Sequence, residues 1–154
     1  MKPAPKVTLN TEDIAPFSSQ YLHEGRKKES WRIESVEIDG DRATARVSML
    51  STYVSGSDSK GFHLTIFSTL EFLSELMLIY SHVWAGFSEK SREGWMVEST
   101  TRSRQAIRDP DRIDVEMKVN VMRQRGGILL CESDYRVTDR FGGLFEISLK
   151  GFLS

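Results

Sequence analysis

The sequence predicts an α+β fold in which an antiparallel sheet of about six strands wraps around one long central helix. Two observations lead there. The first is a single strongly apolar segment, Phe62 to Phe87, long enough for a helix of about seven turns. The second is that the remaining chain carries short runs of alternating apolar and polar residues, separated by turn signals. That alternation is the mark of strands buried on one face.

Each element follows in order. Residues 1–9, with prolines and lysines and no apolar run, read as a loose arm rather than a secretory or transit peptide. Thr11-Glu-Asp-Ile-Ala-Pro-Phe can begin a short helix, with Asn10 or Thr11 as N-cap and Pro16 limiting it. Trp31, Ile33, Val36 and Ile38 form a strand with an irregularity near Ser35. Asp39-Gly40-Asp41 is a hairpin turn. Ala43, Ala45, Val47 and Met49 alternate strictly over residues 42–50. After the apolar segment, Trp95 to about Ala106 is a strand, and Asp109-Pro110-Asp111 is a turn. Ile113, Val115, Met117, Val119 and Val121 make the cleanest strand. Gly126-Gly127 turns the chain into Ile128–Val137, and Gly142-Gly143 turns it into Leu144–Leu153.

The segment from Phe62 holds Glu71, Glu75 and His82, which argues against a bilayer span. It reads as a helix buried on most sides and closed at Gly86. Rival α+β layouts set two or more helices on a sheet, and this chain supplies one good helix. A sheet curled around one helix is the hotdog architecture.

Length and composition agree. The 154 residues, 39% hydrophobic and 28% charged, suit a single domain over 1–154 with a real core. One cysteine, Cys131, excludes disulfide stapling and suits a cytoplasmic, reducing setting. A formal net charge of -1 argues against capture of nucleic acid or an anionic membrane. Three dispersed histidines and one cysteine give no metal-ligand spacing, no glycine-rich phosphate loop is present, and no cofactor is implied. No Gly-x-Ser-x-Gly signals a serine triad.

Between the second strand and the helix runs a Ser/Gly/Asp-rich loop, Ser51 to Gly61, in which Tyr53 is the bulky exception. Tyr53 either covers the core's rim or donates its hydroxyl into a site at the helix start. A helix start offers unpaired N–H groups to a developing oxyanion, unless Thr65, Ser68 or Asp58 caps them. Glu71 and Glu75 share a helical face among apolar neighbours, so each is a paired scaffold carboxylate or a general base. Burial of Glu71 would favour the second role. Arg102 and Arg104 are a solvated strand face, an anchor for anionic substrate groups, or partners of Glu71 or Glu75. His63, at the helix entry, is solvent-facing or a base.

The stretch STYVSGSDSKGFHLTIFSTLEF resembles the corresponding region of the FcoT-like fatty acyl-CoA thioesterases, which are hotdog enzymes. The shared features are Ser51, Tyr53, Gly61-Phe62-His63 and Glu71. A second patch, Ser99 to Met117, is similar to that family's Ser-x-Arg-x-Arg strand and proline turn, giving Arg102, Arg104 and Pro110. Phe17 or Tyr21 falls where the family carries a functional tyrosine. The family's helix asparagines are replaced here, nearest at Ser68 and Met77. The resemblance implies cleavage of a fatty acyl-CoA or acyl-carrier-protein thioester. It also allows prior addition of an amino acid to an α,β-unsaturated chain. It assigns Tyr53, Glu71 and His63 to catalysis, and Ser68, Thr65, Tyr21, Phe17, Arg102 and Arg104 to substrate. The alternatives are a hotdog dehydratase, for which Phe62-His63 is inverted and no Pro-Gly precedes Glu71, and a silent acyl-binding protein. The single sheet's unpaired edge implies a homodimer at least.

Overall fold

The structure is a computed structural model and describes residues 1–56 and 58–154. Ser57, inside the predicted loop, lies outside the described residues. Six strands form one antiparallel sheet: β1 (Ser30–Asp39), β2 (Arg42–Ser51), β3 (Gly94–Gln105), β4 (Ile113–Arg125), β5 (Ile128–Thr138) and β6 (Leu144–Leu153). Their spatial order is β1-β2-β4-β5-β6-β3. The hairpins β1–β2, β4–β5 and β5–β6 are local, so short turns set them, and Gly40 takes the turn's positive φ of 62°. The expected irregularity in β1 is a register shift between Ile33 and Ser35.

The long helix α3 spans Ile66–Trp84 and lies against one face of the sheet. Phe72, Leu73, Leu76, Met77 and Tyr80 meet the alternating inward residues of β2, β4, β5 and β6. Burying each such side chain contributes about 1.5–3 kcal/mol. The approach is close at Gly151, where a Cβ would come within 2.8 Å of Met77 Sδ. This is the hotdog arrangement.

Two expectations are corrected. The helix starts four residues later than the apolar run. The Leu64 N–H donates to Ile107 O at 2.8 Å, holding Phe62–Thr65 out of the helix, and Thr65 caps it. The burial expected of Glu71 also fails: the helix is buried on most sides, but Phe67, Glu71 and Glu75 remain exposed along an open stripe. The far end closes as expected, with Gly86 at φ 79°.

The N-terminal region holds more helix than the sequence suggests. Asn10 and Asp13 form a reciprocal capping box for α1 (Thr11–Ile14), and a 3₁₀ turn follows at Ala15–Phe17. A π-helical turn at Tyr21–Gly25 then runs into α2 (Arg26–Lys28). This second turn lies over the start of α3 and positions the candidate site. At the other extreme, all twelve residues of the edge strand β3 are exposed. Among the described residues no helix is long and apolar enough to cross a membrane.

Candidate functional site

A cluster of hydroxyl groups closes around one carboxylate at the start of α3. Thr65, the N-cap, accepts the Ser68 N–H on Oγ1 at 3.4 Å. The Tyr21 hydroxyl lies 2.8 Å from Thr65 Oγ1 and 2.9 Å from Glu29 Oε2. The Ser68 hydroxyl donates to the same Glu29 Oε2 at 2.8 Å. Glu29 Oε1 is buried and accepts no hydrogen bond from the described residues.

Local sequence explains how these groups meet. Glu29 sits between α2 and β1, so the chain delivers it from the helical turn toward the sheet. Gly25 is buried because the Tyr53 ring lies on it; a Cβ there would stand 2.5 Å from Tyr53 Cδ1. Tyr53 in turn leans on Tyr21, with ring centroids 6.1 Å apart, and Tyr21 stacks on Phe67 at 6.4 Å. Arg26 lies 4.8 Å over the Phe67 ring, and Lys28 lies 5.7 Å over Tyr53. The Tyr53 hydroxyl has no hydrogen-bond partner among the described residues. Burial raises the Tyr21 phenol to about 12, with the hydrogen bond and charge of Glu29 adding to the rise.

The structure therefore brings together Tyr21, Tyr53, Thr65 and Ser68 from the residues the sequence singles out. It adds Glu29, which sequence reasoning missed. Glu29 ends a basic run, Arg26-Lys27-Lys28, and nothing in periodicity or motif separates it from a solvated loop carboxylate. The only available signal was its place directly before a strand. Of the two candidates for the N-terminal aromatic, Tyr21 enters the cluster, whereas Phe17 is 81% exposed and outside it.

The other singled-out residues stand apart. Glu71 is exposed on the open stripe, one turn beyond Phe67, so the expected burial is corrected: its apolar sequence neighbours face the sheet and it does not. His63 Nδ1 pairs with Asp58 Oδ2 at 2.8 Å on the loop before the helix. The Lys60 N–H and the His63 ring hold Asp58 below the usual carboxylate range. Arg102 lies on the outer face of the sheet among Glu116, Lys118, Arg136 and Glu146, away from α3. Arg104 Nε lies 3.4 Å from Glu146 Oε1, so the expected ion pair with Glu71 or Glu75 does not form. Alternation along β3 and β6 turns these charges outward.

A small apolar cleft of about 60 Å³ opens farther along α3, between Met77 and Leu78 and the residues Trp95, Met96 and Phe152. It begins where the open stripe meets the edge of the sheet.

Neither a protein-family model nor a curated protein matches the sequence. Solved structures do match in shape. A hypothetical thioesterase protein with coenzyme A from Streptococcus pneumoniae aligns at TM-score 0.50 and 16% identity, over 87% of this chain and 94% of that one. A mutant thioesterase from Pseudomonas aeruginosa aligns at 0.51 and 14%, over 80% of each chain. A thioesterase from Haemophilus influenzae aligns at 0.50 and 11%, over 97% of this chain and 93% of that one. At such identities the likeness speaks for the fold alone, and with the sheet order and the central helix it establishes that this chain has the hotdog fold.

Proposed function

We propose that this protein is an acyl thioesterase, cleaving a fatty acyl thioester of coenzyme A or of an acyl carrier protein in the manner of the FcoT-like enzymes it resembles. One observation carries the reading: the hydroxyl cluster of Tyr21, Thr65 and Ser68 on Glu29, beside the unpartnered Tyr53 hydroxyl, at the start of the hotdog helix. Thioester cleavage needs a donor for the carbonyl oxygen and a group that takes a proton from water. Tyr53 supplies the donor. The sequence names Glu71 for the second task, and His63, oriented by Asp58, is a further base at the helix entry. Names of similar folds, including one solved with coenzyme A, agree with the substrate class. The acyl chain runs along the open stripe of α3 toward the cleft at Leu78 and Trp95. A single buried thiol, Cys131, suits a cytoplasmic enzyme.

The enzyme works as a homodimer that pairs two β3 edges. Among the described residues Glu98 and Arg102 form no ion pair, and they share the outer face of β3. An antiparallel pairing of two copies about Thr100 sets Glu98 of each opposite Arg102 of the other. The second copy then covers the stripe that carries Phe67 and Glu71.

The test uses saturated and α,β-unsaturated acyl thioesters of coenzyme A and of a carrier protein, with and without glycine. Thiol release and product mass are followed. Thiol release above the buffer rate from at least one acyl thioester is the expected result. Release only with unsaturated substrate plus glycine assigns the coupled addition. Gain or loss of water without thiol release identifies a dehydratase instead, and binding without turnover an acyl-binding protein.

A further inference from the structure

Two other carboxylates, the half-buried Asp139 and the buried Asp109, are held by groups that do not pass protons on. Asp139 accepts the backbone N–H groups of Arg108, Asp109, Phe141 and Gly143. Asp109, only 2% exposed, takes the Arg140 guanidinium and the Asp111 N–H. Those are structural locks between two loops. Glu29 differs in kind. Among the described residues its hydrogen-bond partners are hydroxyls, Tyr21 and Ser68, and its second oxygen is buried with no partner. Leaving a buried acceptor unmatched costs about 1–3 kcal/mol. A chain with neighbouring cations at Arg26 and Lys28 could match it and does not.

The hydrogen bonds also have a direction. A hydroxyl has one proton to give. The Glu29 carboxylate can only accept, so the single Tyr21 proton goes to it, and the Tyr21–Thr65 contact is made by the Thr65 proton on Tyr21 Oη. The chain reads Thr65 to Tyr21 to Glu29, with Ser68 joining from the helix. Tyr21, with its phenol raised to about 12, stays protonated at neutral pH and serves as a conduit.

We infer that Glu29 is the positioning residue of the site, acting through Tyr21 as the terminal proton acceptor for the attacking water. This rests on the thioesterase reading above. The water oxygen bonds to the thioester carbonyl carbon. Its proton passes to Tyr21 Oη as the Tyr21 proton passes to Glu29 Oε2. When the C–S bond breaks, sulfur leaves with the electron pair and the proton returns along the same chain to it. The products are a carboxylic acid and a thiol, and Tyr21 and Glu29 are restored.

Kinetics of Glu29→Gln, Tyr21→Phe and the double variant test this, on the acyl thioester that wild type cleaves best. Each single variant is expected to lower kcat about 100-fold with KM within about twofold. The double variant is expected to lose no more than the worse single one, because the two residues act as one unit. Wild-type kcat in Glu29→Gln, a change in KM alone, or losses that multiply in the double variant would each overturn the inference. So would loss of turnover in Glu71→Gln while Glu29→Gln keeps its rate; the thioesterase reading would then stand. Should Glu29→Gln not fold, Tyr21→Phe carries the test alone, and wild-type kcat there overturns it. If wild type releases thiol from no acyl thioester, the underlying reading fails first and this inference with it.

Discussion

The two ends of α3 solve the same problem in opposite ways. At the C-terminal end, His82 is 7% exposed and both ring nitrogens are used. Nδ1 donates to Leu78 O at 2.7 Å, since a carbonyl can only accept. Nε2 therefore carries the lone pair and accepts the N–H groups of Ser91 and Arg92 at 3.1 and 3.2 Å. The imidazole is a neutral clamp that fixes the turn into β3, with Phe87 against its ring. At the N-terminal end, Thr65, Tyr21 and Ser68 pass hydrogen bonds toward Glu29, and the last acceptor is left open. One end is saturated and rigid. The other keeps an acceptor in hand, which costs stability and which the proposed proton relay would use.

That contrast can be broken by removing one group at each end. His82→Ala is expected to have the largest effect on stability, about 2–4 kcal/mol, because it strips the partner from the Ser91 and Arg92 N–H groups and leaves a cavity where the buried ring was. Urea unfolding measures it, and a loss below about 1 kcal/mol would make the C-terminal clamp ornamental. Thiol release per folded molecule should stay within about twofold of wild type, since His82 lies outside the site. Thr65→Ala is expected to cost about 1 kcal/mol through loss of the N-cap, whereas Thr65→Ser should cost a few tenths at most (roughly). A cost equal to that of His82→Ala would mean that both ends are structural in the same sense.

The smallest effect sharpens the contrast without unfolding anything. An ultraviolet titration of the tyrosines should show Tyr21 ionising at about 12 against an ordinary 10.0, chiefly through burial and next through its contacts with Glu29. In Glu29→Gln the midpoint should fall toward the ordinary value, but not reach it. The sign of the linkage follows. The folded value is raised, so the unfolded chain gives up this proton first as pH rises. Tyr21 thus contributes stability that is fully present below pH 10.0 and is lost as pH climbs through about 12. An unchanged midpoint in Glu29→Gln would remove the carboxylate from the phenol's surroundings.

Much of this architecture is legible in the chain. Alternation in Ala43–Met49 and Ile113–Val119 reports a face packed on one helix, and the structure buries those residues as the period demands. Leu144–Leu153 matches its strand to the residue. What misled was the apolar run from Phe62. Composition cannot tell a helix from the extended residues that lead into it, and the hydrogen bond from Leu64 to Ile107 is made across the fold. The site was legible in part for the same reason. Tyr53, Thr65 and Ser68 are marked by their place at a helix start. The turn at Tyr21–Gly25 has no apolar period, and its shape comes from the Tyr53 ring resting on Gly25. Glu29 becomes conspicuous only once its hydroxyl partners arrive from residues far along the chain.

The order of the strands has a consequence for how this protein is made. β3 leaves the ribosome well before β6, and β6 is the only strand it pairs with. Until Leu144–Leu153 is synthesised, the β3 segment, including Trp95, Met96 and Val97, has no neighbour within the chain. It must wait as an open template while β4 and β5 are completed. β6 therefore acts as a release signal for assembly: a chain stopped short of it keeps its helix sequence intact but leaves β3 with nothing to pair with except another unfinished chain.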